Sequence, residues 1–410
     1  MREHAGAKGH TGAGEQAGAA GRAPAGGRPC SRREALAVLA PLLAVPLLGA
    51  SGCRFSSLVS GAKDGVGFPG DYAVAVVKSN VSNISTYIEC YDGALDLVAK
   101  LEYPYSTLEN SWGRPERSGG EVLLCNQGVE GFRTSTTVVG IDTLTGRVRE
   151  YDTGISALKG CTATERYVYA TRNLNLSAPI ARVDRRTGER VQAEYPGLLY
   201  PLAYGEKVYA FNDFIPGKKD QSFLLTLSED LELLDSIDFG SVSKVPQVTG
   251  FIDDRLYFVM TQDTDDIEWA DIVWHLNYYS PEGGQMHQVT EARGMRLGRI
   301  AAHADTLFVL GSANVSGGPR NKVLAVDARS GETVAEQPLS FEPKHLLVVG
   351  DALYVAGYDD DVNGTGRMAM ALVAFDVAEG GLTETGKVFL ENSEKDRPGR
   401  YYLTGLFAER

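Results

Sequence analysis

The segment Val139–Val148, which reads VGIDTLTGRV, recurs along the chain and decides its fold. Apolar residues flank an Asp-x-x-Thr-Gly sequence, a pattern typical of two strands joined by a hairpin. The aspartate carboxylate accepts hydrogen bonds from backbone N–H groups two or three residues further on, and the glycine supplies the left-handed conformation that closes the loop. Clear copies stand at Val183–Arg190 and Val326–Thr333.

Looser copies of the hairpin fill the intervals between the clear ones. The position of the aspartate is taken in turn by Asp92, Asp142, Asp184, Ser228, Ser280, Asp327 and Asp376. Upstream of most turns lies an apolar and aromatic strand, as at Tyr169 and Tyr354. Repeats of about 40 to 50 residues, built from strands and turns without an apolar period of 3.6 residues, are typical of propeller blades. We predict an all-β fold, a seven-bladed β-propeller with four-stranded antiparallel blades.

The chain divides into a leader (residues 1–52), a linker (53–70) and the propeller (71–410). The first blade begins at Asp71 and lacks an innermost strand of its own. The segment Leu403–Glu409 aligns with Val248–Asp254, which opens a blade. We therefore expect the C-terminal strand to complete blade one and to remove an exposed sheet edge.

The leader carries export signals. Its apolar run Ala35–Gly49 contains two prolines and is shorter than the roughly 20 residues of a membrane-spanning helix, which favours a signal peptide. Ser31–Leu36 resembles the twin-arginine export motif, and Ala50–Cys53 resembles a bacterial lipobox. The resemblance implies lipidation of Cys53, extracytoplasmic localisation and an anchor in the bacterial cell membrane. A secreted protein with an incidental cysteine is the alternative.

The net charge of the chain limits which molecules it can bind. The formal net charge is −13, and the leader holds more basic than acidic residues, so the rest of the chain is more acidic still. Such a surface repels phosphate backbones and anionic lipid headgroups. We expect no nucleic-acid partner, membrane contact through the lipid alone, and a monomer.

The hairpins, together with strands such as Leu353-Tyr354-Val355, resemble bacterial seven-bladed propellers of the YVTN and quinoprotein-like repeat type. The resemblance covers residues 71–410 and implies the fold without naming a ligand.

Ligands of propellers commonly bind at the mouth of the central channel, where the innermost strands begin. Alignment of these strands places five residues there: Arg114, Tyr200, Arg299, His345 and Tyr402. Guanidinium groups and phenols pair well with carboxylate or phosphate, so we predict an anion-binding ring. The alternative is that the alignment brings together unrelated surface residues.

Asp359, Asp361 and Asn363, followed by Gly364, match the start of a calcium loop. The twelfth position is Met370 instead of a bidentate glutamate, so a solvated acidic loop is the preferred interpretation, and a bound calcium ion is the alternative. Cys90, Cys125 and Cys161 are interpreted as buried strand residues, with a Cys125–Cys161 disulfide as the alternative.

The histidines show no metal-ligand spacing. We predict a non-catalytic lipoprotein that binds a protein, a peptide or a small anionic ligand. One alternative is an extracytoplasmic enzyme of lactonase or dehydrogenase type, with His345 as base and Arg299 as oxyanion partner. Another is a scaffold in envelope assembly, a role that resembles the eight-bladed lipoprotein of outer-membrane barrel assembly.

Overall fold

The computed structural model describes most of the predicted propeller. It covers residues 68–80, 85–107, 115–128, 135–172, 177–217, 221–241, 243–262, 268–313, 321–360, 368–378, 381–391 and 401–408. The predicted leader and Cys53 lie outside these residues, as do Arg114, Asp361 and Asn363. Within them, no helix is long and apolar enough to span a membrane.

The described strands form seven antiparallel sheets, which are the blades of a propeller. The strands of blades one to three are β1 (Val74–Asn80), β2 (Ser85–Tyr91), β3 (Leu97–Tyr103), β4 (Ser106–Thr107), β5 (Glu116–Ser118), β6 (Glu121–Gly128), β7 (Thr137–Asp142), β8 (Val148–Asp152), β9 (Gly160–Ala163), β10 (Tyr167–Thr171), β11 (Ser177–Asp184) and β12 (Arg190–Pro196). Blade one comprises β1–β3, blade two β4–β8 and blade three β9–β12. The predicted fold class is confirmed.

Blades four to seven each comprise four consecutive strands. These are β13 (Leu198–Tyr204), β14 (Lys207–Asp213), β15 (Gln221–Ser228), β16 (Leu233–Ser241), β17 (Ser243–Ile252), β18 (Arg255–Gln262), β19 (Val273–Ser280), β20 (Gln285–Arg293), β21 (Met295–His303), β22 (Thr306–Ala313), β23 (Asn321–Asp327), β24 (Thr333–Leu339), β25 (Glu342–Val349), β26 (Ala352–Asp360), β27 (Met368–Ala378) and β28 (Gly381–Leu390). A short 3₁₀ turn, Trp269–Asp271, precedes β19. The first strand of each of these blades contacts that of the next, so the first strands are innermost.

The recurring hairpin folds as its sequence predicts. The Asp184 carboxylate accepts hydrogen bonds from the backbone N–H groups of Arg186 and Thr187, both at 2.9 Å. Gly188 has a φ of +75° and donates its N–H to the Asp184 carbonyl. These backbone hydrogen bonds hold the pKa of the Asp184 carboxyl low, at about 2. Each such hairpin joins the third and fourth strands of its blade.

The apolar core lies between neighbouring blades. The middle strands are buried on both faces, as in β10, whereas the outermost strand β12 alternates exposed with half-buried residues. Between blades four and five, for example, Tyr209 and Phe211 pack against Phe258. Since each face is covered by the next blade, the hydrophobic effect stabilises the ring through its interfaces.

Ring closure follows the prediction. Strand β29 (Tyr402–Phe407) pairs antiparallel with β1 and becomes the innermost strand of blade one. Its register is interrupted at Thr404, between the partners of Val77 and Lys78. Gly405 lies against blade two, because a Cβ there would stand 2.2 Å from Cδ of Pro115. The two ends of the propeller chain are therefore held together in one sheet.

The interface between blades seven and one, here called the closing seam, contains a buried ion pair. Lys78 is fully buried, and its Nζ lies 2.7 Å from Oε1 of Glu89. The same ammonium donates to the Glu391 carbonyl at 2.9 Å, and Lys100 binds the Glu391 carboxylate at 3.0 Å. The Tyr91 hydroxyl donates to the second oxygen of Glu89 at 3.0 Å. The network ties the end of blade seven to blade one.

Candidate functional site

The two ends of the channel differ in how the blades are joined. At one end, the turns between first and second strands contact the corresponding turns of the next blade. The Ser118 hydroxyl donates to the Thr164 carbonyl at 2.9 Å, and His303 Nε2 lies 3.0 Å from an oxygen of Asp351. The opposite end, here called the mouth, is where the innermost strands begin, at residues such as Gly160, Leu198, Met295, Glu342 and Tyr402. Ligand access is therefore expected at the mouth.

Tyr200 and His345 occupy equivalent positions near the mouth. Tyr200 pairs with Phe211 and His345 pairs with Ala356, each two residues beyond the buried tyrosine of the second strand. Tyr200 faces blade five, since it packs with the apolar residues of that interface. Tyr402 begins β29 and is 52% exposed.

Arg299 and His345 are brought together by the structure. Arg299 lies in an irregular stretch of β21, between Leu297 and Ile300, and is 8% exposed. The neighbouring innermost strand, β25, carries His345 close enough for the guanidinium to act on the charge of the imidazole. Tyr200 lies on β13, which is separated from β21 by β17, so among the described residues only Arg299 and His345 lie on neighbouring innermost strands.

The His345 imidazole is buried, with only 1% of the residue exposed. Desolvation holds its pKa well below the usual value, and the positive charges of Arg299 and Lys344 act in the same direction. The backbone of Leu403, on β29, opposes this shift. The imidazole is therefore held in its neutral form at physiological pH and is shielded from solvent.

Asp213 is a polar residue at the mouth that the sequence analysis missed. It ends β14, opposite Leu198, and is 6% exposed. Burial raises the pKa of its carboxyl to about 7, and a hydrogen bond from Ser222 offsets part of this shift. Its Oδ1 finds no hydrogen-bond partner in the described structure. The only available signal was an acidic residue directly after an apolar strand.

The backbone around Asp213 is held tightly. The Asn212 amide donates to the carbonyls of Pro196 and Leu198, at 2.9 and 3.0 Å. Gly197 has a φ of +89°, and a Cβ there would stand 2.4 Å from the Asp213 carbonyl oxygen. The next residue, Phe214, has a φ of +54° and is 44% exposed. A left-handed aromatic residue costs about 1–3 kcal/mol, and such strain concentrates at functional sites.

The calcium prediction falls mostly outside the described residues. Of its three ligands only Asp359 is described, and its carboxylate lies 3.0 Å from Nζ of Lys387. No group of three or more His, Cys, Asp or Glu side chains suited to a metal ion occurs in the described part of the chain.

The three described cysteines are buried free thiols. Cys125 and Cys161 lie in the same apolar cluster between blades two and three, without a disulfide. Burial raises the pKa of the Cys90 thiol to about 12, which keeps it unreactive.

Comparison with known proteins supports the fold. No family model matches this sequence, and a search of curated proteins finds no match. Among solved structures, the chain is similar to a hypothetical selenium-binding protein from Sulfolobus tokodaii, with a TM-score of 0.51, 13% identity and coverage of 83% of this chain and 94% of that one. It is similar to the periplasmic gluconolactonase of Pseudomonas aeruginosa, with a TM-score of 0.50, 16% identity and coverage of 77% and 96%.

A third similar structure is a quinoprotein alcohol dehydrogenase-like protein from Bacteroides thetaiotaomicron, with a TM-score of 0.50, 11% identity and coverage of 82% of this chain and 78% of that one. Identities this low indicate a shared architecture and leave ligand and reaction open. Together with the sheet order, the three similarities show that the chain adopts the seven-bladed β-propeller fold.

Proposed function

We propose that this protein is an extracytoplasmic lipoprotein, anchored through Cys53, whose propeller binds a small anionic ligand at the mouth. The main support is Arg299, on the irregular stretch of β21, whose charge lowers the pKa of His345. Lys344 acts in the same direction but is paired with Glu342 at 2.6 Å, so Arg299 is the cation that would bind the anion. In a chain with a formal net charge of −13, most of the surface repels anions, and a cation at the mouth gives them a place to bind.

The proposal predicts an anion-dependent thermal shift at constant ionic strength. Inorganic phosphate and gluconate serve as probes, with glucose as an uncharged control. An anion at one hundred times its dissociation constant adds about 2.7 kcal/mol to the free energy of unfolding. We expect Arg299→Gln to abolish the shift, since it removes the charged fork that pairs with carboxylate or phosphate.

The matched control is Arg329→Gln. Arg329 is exposed on a hairpin of the same blade, where it pairs with Asp305 at 2.7 Å, so the shift should persist in this variant. An equal shift in the Arg299→Gln protein, or no shift with either anion, would contradict the proposal. Ionic strength is held constant because salt alone screens exposed charges.

A second candidate function is hydrolysis of a sugar lactone at the same mouth. The specific observation in its favour is the Asp213 carboxyl, whose pKa of about 7 suits a group that exchanges protons near neutrality. Similarity to a gluconolactonase makes gluconolactone the first substrate to test. We expect turnover to be lost in Asp213→Asn and kept in Glu165→Gln, which changes an exposed carboxylate. Equal rates of gluconolactone hydrolysis with and without the protein would exclude this activity.

The scaffold interpretation has less support. The exposed apolar side chains of the described outer strands are spread over several blades, as Leu97 of blade one, Leu233 and Leu234 of blade four and Val334 of blade six show. A protein-binding patch would gather such residues in one place.

A further inference from the structure

The closing strand β29 is held at its irregular stretch by side chains of blade seven. The Leu403 N–H donates to the Tyr358 hydroxyl of β26 at 2.9 Å. Strand β25, which carries the buried His345, packs against β29, where Leu347 and Leu403 lie in one apolar cluster. Two strands of blade seven therefore contact β29 near Leu403. Because Thr404 interrupts the pairing with β1 just beyond Leu403, these contacts supplement the sheet where it is weakest.

We propose that His345 is an acid-sensitive latch: its protonation releases the closing strand β29 from blade seven and opens the ring at the closing seam. Protonation of the second ring nitrogen of His345 would create a buried imidazolium near Arg299. Burial of an uncompensated charge is costly. Release of β29 exposes the imidazole to water, where its charge is solvated. The intact latch thus requires a neutral His345.

The charged and titratable groups around His345 have opposing effects. Arg299 on β21 and Lys344 on β25 disfavour the imidazolium, and the backbone of Leu403 on β29 favours it. Lys344 is itself paired with Glu342 of β25 at 2.6 Å. Strand β26 contributes the hydroxyl of Tyr358. On β1, Lys78 belongs to the same seam, where Glu89 compensates its charge at 2.7 Å. Arg299 is thus the charge that acts most strongly against an imidazolium at this position.

The test is hydrogen exchange of the full chain, corrected for intrinsic rates, at pH 7 and pH 5. Opening linked to one proton grows about tenfold per pH unit below the ordinary histidine value of 6.5. We expect amides of residues 402–407 to lose protection by about 30-fold between pH 7 and pH 5, while amides of β10 keep theirs. Unchanged protection of β29 at pH 5 would overturn the proposal.

Two substitutions separate the latch from general acid sensitivity. In His345→Gln, a neutral amide replaces the titrating ring, so protection of β29 should become independent of pH. His287→Gln changes an exposed histidine of β20 and should behave as the unmodified protein. Acid-induced exchange that persists in His345→Gln would refute the latch. If that variant fails to fold, titration of His345 in the unmodified protein by NMR decides, because a midpoint near 6.5 in the closed ring is incompatible with the proposal.

Discussion

Lys78→Ala is expected to destabilise the propeller more than any other single charge removal at the closing seam, by about 3–5 kcal/mol. The substitution leaves Glu89 buried without its partner at 2.7 Å and frees the Glu391 carbonyl at the end of blade seven. Denaturant titration measures the loss in the free energy of unfolding. If the slope of this free energy against denaturant concentration is unchanged, the native and denatured states have kept their compactness.

The control for this prediction is Lys322→Ala. Lys322 and Glu336 also form a cross-strand pair, at 2.6 Å, but the Glu336 side chain is 50% exposed. A pair open to solvent contributes about 0–1 kcal/mol. The double variant Lys78→Met with Glu89→Leu should recover much of the stability lost in Lys78→Ala, because apolar groups replace both charges. Equal losses for Lys78→Ala and Lys322→Ala would show that burial of the ion pair is unimportant.

Asp213 is expected to make stability depend on pH in the direction opposite to most carboxylates. Its pKa is about 7 in the folded protein and 3.8 when unperturbed, so the folded state binds more protons between these values. The contribution of this group is therefore fully present below pH 3.8 and is lost as the pH rises towards 7. The total loss is about 3–5 kcal/mol.

Asp213→Asn removes the titrating group, so its stability relative to the unmodified protein should rise between pH 4 and pH 8. Thermal unfolding at several pH values measures this difference. Glu165→Gln, at an exposed site, should show a nearly constant difference over the same range. A constant difference for Asp213→Asn as well would mean that the carboxyl is ionised in the folded protein at neutral pH.

The latch and the ion-pair network hold two neighbouring strands of blade one to blade seven. Lys78 holds β1 to the end of blade seven, whereas Tyr358 and the buried His345 contact β29 near Leu403. Loss of Lys78 should therefore weaken the ring at every pH, and protonation of His345 should weaken it only in acid.

The candidate site was predictable in part. Alignment placed Tyr200 and His345 at equivalent positions, because strand pairing preserves register across repeats. It did not predict that His345 is buried, since burial depends on the side chains of the next blade. The sequence did not predict Asp213 as a site residue, because a carboxylate that follows a strand is usually exposed to solvent.

The sequence by itself determined the number of blades, the hairpins and the closing strand. Each of these depends on local chemistry that repeats, such as an Asp184 carboxylate capping its own turn and a Gly188 that can adopt a positive φ. Only the tertiary structure decided which charges are buried and what they face. Lys78, Asp213 and His345 acquire their properties from desolvation between blades, and desolvation depends on residues far apart in the chain.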